Sequence, residues 1–317
     1  MSDIRIKLKG FRDDDSFIQN YVNLEFEGKS MNHVIMNSLR RVILDEIPIL
    51  ALNTDRINII DNSSVYNNDY LRNRIEQLPL INISTVLNLD EYEKLRNNSL
   101  EQNEDSLLTI YCDVENNNSD IISVTSDDLE FYMSDKKIDS IFKNPVLICK
   151  LKPGEKLKFS AKSDIGISLI HARYASVGVC CYEYEEEKNN RFLFKMEPRG
   201  QIKSNEVILR GLRILSFKLE TLKSKISKIK FTNENQGKII LNNEDHTIGN
   251  LIARGLQEHK NIEFAAYKLE HLLIRDLIIE YLTDGGKVIN NILTDVISNY
   301  QKLFLELERE ISKLNFK

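Results

Sequence analysis

One nine-residue pattern occurs twice in this chain. MNHVIMNSLRRVI at 31–43 and EDHTIGNLIARGL at 244–256 both contain H-x-I-x-N-x-[LI]-x-R when their histidines are set in register. The matched pairs are His33 with His246, Ile35 with Ile248, Asn37 with Asn250, Leu39 with Ile252 and Arg41 with Arg254, 213 residues apart (246 − 33). Each copy reads as a capped amphipathic helix. GKSMNH precedes the first, whose apolar positions Val34, Ile35, Leu39, Val42 and Ile43 recur at helical spacing and stop before Pro48. Asp245 is placed to cap the second.

The surroundings repeat as well. A strand-like run (NYVNLEF, 20–26) leads into the first copy, and GKIILN leads into the second. Each half ends in a long amphipathic helix. In the first, Ile208, Leu212, Leu215, Leu219, Leu222 and Ile226 follow a 4, 3, 4, 3, 4 spacing. In the second, Ile289, Leu293, Val296, Tyr300, Leu303, Leu307, Ile311 and Leu314 share one face. Two units with one grammar predict a pseudo-twofold pair, a dimer made covalent.

Between the copies the texture changes. RINII, LLTIY, VLICKL and KLKFSA are strand-like runs separated by Asn- and Asp-rich loops, with a tight turn at Pro153-Gly154. The expected organisation is therefore α+β. A first unit occupies 1–49 and 181–228, a β-rich domain inserted at 50–180 interrupts it, and a second unit occupies 229–317.

Composition narrows the function. The chain has 317 residues, 42% of them hydrophobic and 29% charged, which fits an ordinary soluble protein of two or three domains. No apolar run approaches the ~18 residues of a membrane span, and the first residues have no signal-peptide character. The expectation is an intracellular protein that meets no membrane. A net charge of −5 without a basic stripe argues against direct grip on nucleic acid. The four cysteines (112, 149, 180 and 181) contain no C-x-x-C spacing, so neither a zinc ribbon nor a disulfide framework is expected. No G-x-x-x-x-G-K-[ST], G-x-S-x-G or H-E-x-x-H occurs, nor a D-x-D-x-D-type metal loop.

The motifs resemble a known family. HVIMNSLRRVILDEIPILAL, followed by NSSVYNNDYLRNRIEQLPL with Asn62, Ser64, Val65, Asp69, Arg74, Leu78, Pro79 and Leu80, is similar to the start of the α-like assembly subunits of DNA-dependent RNA polymerases. GISLIHARYASV, through Gly166, His171, Ala172, Arg173 and Tyr174, and FKMEPRGQIKSNEVILRGLRIL resemble later stretches of the same subunits. NNEDHTIGNLIARGL and FAAYKLEHLL resemble the eleventh subunit of nuclear RNA polymerase II and its archaeal counterpart. The chain thus looks like a fusion of a third-largest-type and an eleventh-type subunit, a form associated with polymerases of large cytoplasmic DNA viruses. Two departures stand out. Residues 81–120, where many larger partners carry a cysteine cluster, hold only Cys112. Ala266, Glu270 and Leu272 replace a glycine and two prolines of the smaller subunit's motif.

The resemblance implies a non-catalytic assembly platform, an intramolecular heterodimer equivalent that nucleates binding of the two large catalytic subunits. Its partners would be those two subunits and the small ones, with DNA met only through the complex and the isolated chain a monomer. No cofactor, catalytic residue or metal ligand is implied. A viral polymerase would place it in the host cytoplasm, in viral factories, and in the virion.

Asn37, Arg40 and Arg41 are the candidate partner-binding residues. The two arginines point about 100° apart on a helix, so both cannot be core. The candidates for internal pairing are Ile208, Leu212, Leu215, Leu219, Leu222, His246, Asn250, Leu293, Val296, Tyr300, Leu303 and Leu307. His33 and His246 read as packing or capping residues at a helix entrance, His171 as a packed strand residue, and EYEEEK at 183–188 as a solvated edge. A stand-alone β-rich protein-interaction module is the alternative that the residues leave open.

Overall fold

The computed structural model describes residues 4–13, 20–81, 83, 88–97, 107–134, 136–142, 144–184, 190–226, 235–271 and 274–316. The segment joining the two units (227–234), residues 185–188 of the acidic run and Leu272 lie outside them.

The first unit opens with β1 (Arg5–Arg12), β2 (Tyr21–Glu27) and α1 (His33–Asp45). The chain then leaves it through β3 (Ile49–Asn62), α2 (Asn68–Glu76), α3 (Leu89–Arg96), β4 (Leu108–Glu115), β5 (Ile122–Thr125), β6 (Leu129–Met133), β7 (Lys136–Ile138), β8 (Leu147–Leu151) and β9 (Lys156–Gly166). It returns with β10 (Val177–Tyr184), β11 (Arg191–Pro198) and α4 (Ser204–Ile226). The second unit consists of β12 (Gln236–Asn242), α5 (His246–Gln257), β13 (Ile262–His271), β14 (Ile274–Thr283) and α6 (Ile289–Ser312).

The duplicated grammar is a duplicated topology. The first sheet has the order β1-β2-β11-β10 and the second β12-β14-β13, antiparallel throughout. Removing β1 leaves β2-β11-β10, which matches β12-β14-β13 strand for strand, with α1 answering to α5 and α4 to α6. Both repeated helices start in the same way. The Asn32 side chain accepts the Ile35 N–H at 3.0 Å, and Asp245 accepts the Thr247 N–H at 2.8 Å, so in each helix the residue just before the histidine satisfies an orphan donor of the first turn.

Apolar faces then merge the two units. A single contiguous core runs from Val22, Leu24 and Phe26 through α1 and α4 to α5, β14 and α6. Helix α4 packs on α1 and α6, α5 on α6, and α1 on α5. Close approach requires glycine at two of these contacts. A Cβ on Gly211 would stand 3.0 Å from Ile43 Cγ1, and one on Gly255 would stand 2.4 Å from Val296 Cγ1.

The insertion has its own core. A five-stranded antiparallel sheet, β3-β9-β4-β6-β7, and the β5-β8 pair enclose Leu52, Leu108, Ile110, Phe131, Leu157 and Phe159, with Leu71 and Ile75 of α2 against them. Strand β3 belongs to both cores. Ile49 and Ala51 face the first while Leu50 and Leu52 face the second, as alternate residues of a strand must. Strand β10 already belongs to the first sheet from Val177, so the expected boundary at 180/181 falls inside a strand. Hydrogen bonding to β11 decides that position, a pairing invisible in a local apolar pattern.

Helix α3 lies within the insertion by sequence but not by packing. Its Tyr92 and Leu95 are buried in the first core, and the Tyr92 ring meets Phe217 of α4 edge-on at 6.1 Å. No described helix is long and apolar enough to cross a membrane.

Candidate functional site

Among the described residues the two largest contacts between the units differ in chemistry, and a smaller one sets Phe11 of β1 edge-on to Phe316 at 5.4 Å. The first is the α4–α6 seam. Ile208, Leu212, Leu215, Leu219 and Leu222 of α4 are buried, as are Leu293, Val296, Tyr300 and Leu307 of α6. Leu303 is only half-buried, and Phe304 takes its place in the core, its ring stacked on Tyr300 at 6.3 Å. One turn of 3.6 residues after Tyr300 falls between these two positions, and the larger ring fills the space. At the rim Arg213 Nε donates to Glu308 Oε1 at 2.7 Å, and Gln301 Nε2 donates to Glu220 Oε2 at 2.6 Å.

The second contact gathers charge where α1 and α4 meet the start of α5. Lys218 Nζ lies 2.8 and 3.1 Å from the two Glu46 carboxylate oxygens, with both side chains almost fully buried. The Tyr92 hydroxyl donates to Glu46, and Arg96 Nε stands 3.7 Å from it. Arg96 also forks onto Glu244, NH1 to Oε1 at 3.3 Å and NH2 to Oε2 at 2.9 Å. Beyond them Asn243 donates to Asn97. Lys218 and Arg96 thus balance Glu46 and Glu244, which is what allows four charges to leave water together. Burial, then the Glu46 charge, pushes the Tyr92 phenol well above its ordinary value, so Tyr92 remains a donor.

Arg41 extends this contact. Its Nε donates to Thr247 Oγ1 at 2.9 Å, and its NH2 lies 3.5 Å from Asp245 Oδ2. Burial pushes the Asp245 carboxyl up. The Lys218 ammonium, the Thr247 N–H and hydroxyl, and Arg41 more than offset that and hold it at about 2.

The expected residues therefore divide. Arg41, expected on an outer docking face, reaches across the junction to the cap of α5, because its azimuth on α1 points at the second unit. Arg40 turns the other way, its Nε and NH2 both donating to Asn37 Oδ1 at 3.1 and 2.9 Å on the outer side of α1. His246 is exposed and edge-on to Tyr267 of its own unit at 5.8 Å, and Asn250 is half-buried. Neither histidine copy lies in the core. His171 is an exposed cap, its Nδ1 accepting the Arg173 N–H at 3.2 Å, rather than a packed strand residue.

Glu46, Tyr92, Arg96, Lys218 and Glu244 were not foreseen. A signal for two of them did exist. Lys218 interrupts the buried face three residues after Leu215 and four before Leu222. Glu244 stands where the first copy has Met31 (244 − 213), which is itself buried.

Among the described residues no group of three or more His, Cys, Asp and Glu is placed to hold a metal ion. Burial pushes the thiols of Cys112 and Cys149 up to about 12 and about 11, the behaviour of packed core groups rather than thiolate ligands.

Comparison with known proteins follows the same division into two units. The sequence profile of the RNA polymerase Rpb3/Rpb11 dimerisation domain matches residues 25–219, and a second profile of the same description matches residues 236–310. R470 of Acanthamoeba polyphaga mimivirus, described as a DNA directed RNA polymerase subunit, is 26% identical over 339 aligned positions, covering 95% of this chain and 93% of that one. DNA-directed RNA polymerase II subunit RPB3 of Schizosaccharomyces pombe is 24% identical over 63% of this chain and 82% of its own length. DNA-directed RNA polymerase subunit Rpo11 of Sulfolobus acidocaldarius is 36% identical over 89 residues, 26% of this chain and 99% of its own length.

Proposed function

Since the chain belongs to the RNA polymerase Rpb3/Rpb11 dimerisation family and is an Rpb3/Rpb11-like assembly subunit, we propose that it is the non-catalytic platform on which the two large catalytic subunits assemble. One observation carries this reading. The two units share one continuous core, so each already satisfies the other's apolar faces. Fusion then holds the pair at one-to-one stoichiometry, making association intramolecular with an effective concentration of order mM for a short connection. The isolated chain is a monomer with an internal pair.

Docking uses what pairing leaves outside. Asn37 and Arg40, bonded to each other on the outer side of α1, present a planar guanidinium to a carboxylate or carbonyls of a large subunit. Arg41 does not belong to that face. The platform divides into a discontinuous first unit, an inserted β-rich domain and a second unit, the insertion and the smaller polymerase subunits completing the assembly. DNA is met only through the complex. The match to the mimivirus protein supports a viral polymerase working in host cytoplasm, in its factories and in the virion.

The test is recruitment. Asn37→Ala with Arg40→Ala should leave the chain folded and monomeric, because surface changes cost within about ±0.5 kcal/mol. It should lose the second-largest subunit in a pull-down, since truncating an arginine paired at an interface costs ~2–5 kcal/mol. Undiminished recruitment by a folded variant would place docking elsewhere.

A further inference from the structure

At the α1–α5 joint the pseudo-twofold is broken, and the break has a chemical meaning. Arg41 of α1 crosses to the α5 cap, but its counterpart Arg254 turns back to Glu258 of its own helix, Nε to Oε1 at 2.7 Å. Asn32, which answers to Asp245, caps its helix without a charge. Met31, which answers to Glu244, is apolar and buried. Among the described residues, the carboxylates that receive cations from the other unit therefore belong to the second unit. The group that reads Glu244 comes from α3, a helix that the inserted segment lends to the pairing core.

We propose that Arg96 on α3 is the specificity-determining residue of pairing. It is a clasp that accepts a unit carrying Glu244 and rejects a second copy of the first unit. In a pair of two first units Arg96 would face a methionine at the position of Glu244. Arg96 would then keep only Glu46, 3.7 Å away and already held by Lys218, and a buried guanidinium short of a carboxylate loses far more than an exposed one. The fork to both Glu244 oxygens gives the contact direction as well as charge, so lysine would not substitute for arginine. The apolar seam cannot discriminate in this way, since leucine and isoleucine faces pack on one another with little regard to partner. Fusion and clasp thus act against the same error, pairing of like units between chains. This inference rests on the platform reading, but its test needs no large subunit, so a failure in recruitment and a failure in pairing remain distinguishable.

The experiment starts from the full-length folded chain with a specific protease site inserted between residues 227 and 234. After cleavage, separation of the halves on dilution is followed by size exclusion. Arg96→Glu should speed separation about a hundredfold or more, from the cost of breaking a buried pair. Glu244→Arg should do the same, and the two together should restore slow separation to within about tenfold of the original. Should Arg96→Glu fail to fold, Glu244→Gln, which keeps the shape and removes the charge, should speed separation at least about tenfold. Mixing nicked original with nicked double-swapped protein should sort halves by matched charge. Random reassortment, or single variants that separate no faster than the original, would overturn the proposal.

Discussion

The two joints between the units do the same work by different means. At the α4–α6 seam, aliphatic and aromatic side chains meet, and the ion pair that crosses it, Arg213 with Glu308, lies at the rim. At the α1–α5 joint, reinforced by α3, Lys218, Arg96, Glu46 and Glu244 are buried together and Arg41 spans the boundary. Burying apolar area supplies roughly 25 cal/mol per Å² whatever the partner. Buried ions add little net stability over apolar residues of the same size, but they penalise any arrangement that leaves one unmatched. The comparison teaches a division of labour in which the seam supplies strength and the charged joint supplies register and choice of partner.

The largest effect should come from unbalancing the charged joint. Lys218→Met keeps the unbranched stem, one atom shorter, but leaves the Glu46 carboxylate buried with Tyr92 and the more distant Arg96. The expected loss is ~3–5 kcal/mol in urea unfolding, large against a typical total of ~5–15. Adding Glu46→Gln should recover a good part of it. A loss below about 1 kcal/mol for Lys218→Met alone would mean that the joint is not electrostatically coupled.

The same contrast explains what could be read from the sequence. Ile208, Leu212, Leu215, Leu219 and Leu222 declare themselves because a helix must repeat its buried face every 3.6 residues, and the seam is therefore periodic. The repeat made the shared succession of elements legible, but not the order of strands in either sheet, which rests on pairings between segments distant in sequence. The charged joint has no period. Glu46 follows the end of α1, Arg96 ends an eight-residue helix whose apolar positions are only Leu89, Tyr92 and Leu95, and Glu244 precedes a cap; they meet only once the chain has folded. Arg41 was legible as an arginine off the core but not as a bridge, because its destination lies 204 residues away in sequence (245 − 41).

An acid titration should give a smaller effect on the same joint. The folded Asp245 carboxyl titrates at about 2 against an ordinary 3.8. Its contribution is therefore fully present above pH 4 and is lost as the pH falls through 2. It corresponds to about 2 kcal/mol. Asp245→Asn keeps an acceptor for the Thr247 N–H but no charge for Lys218 and Arg41. The stability gap between the original and the variant should thus be widest near pH 5 and narrow steadily as the pH falls toward 2. A gap independent of pH would assign the role of Asp245 to capping alone.

The smallest effect belongs to the rim of the apolar seam. Arg213 pairs with Glu308 across the units and with Glu206 on its own helix, 3.5 Å from NH1 to Oε1, yet its side chain remains 41% exposed. Water screens such pairs, and holding two long side chains in one geometry costs entropy, so exposed ion pairs contribute ~0–1 kcal/mol. Arg213→Ala should accordingly shift the urea midpoint slightly at low salt and not at all near 1 M salt, where the Debye length falls to about 3 Å. It should leave the pairing of nicked halves intact, in contrast to Arg96→Glu. If Arg213→Ala instead separated the halves as readily as loss of Arg96, the seam would owe its selectivity to its own rim, and the division between a seam for strength and a charged joint for choice would fail.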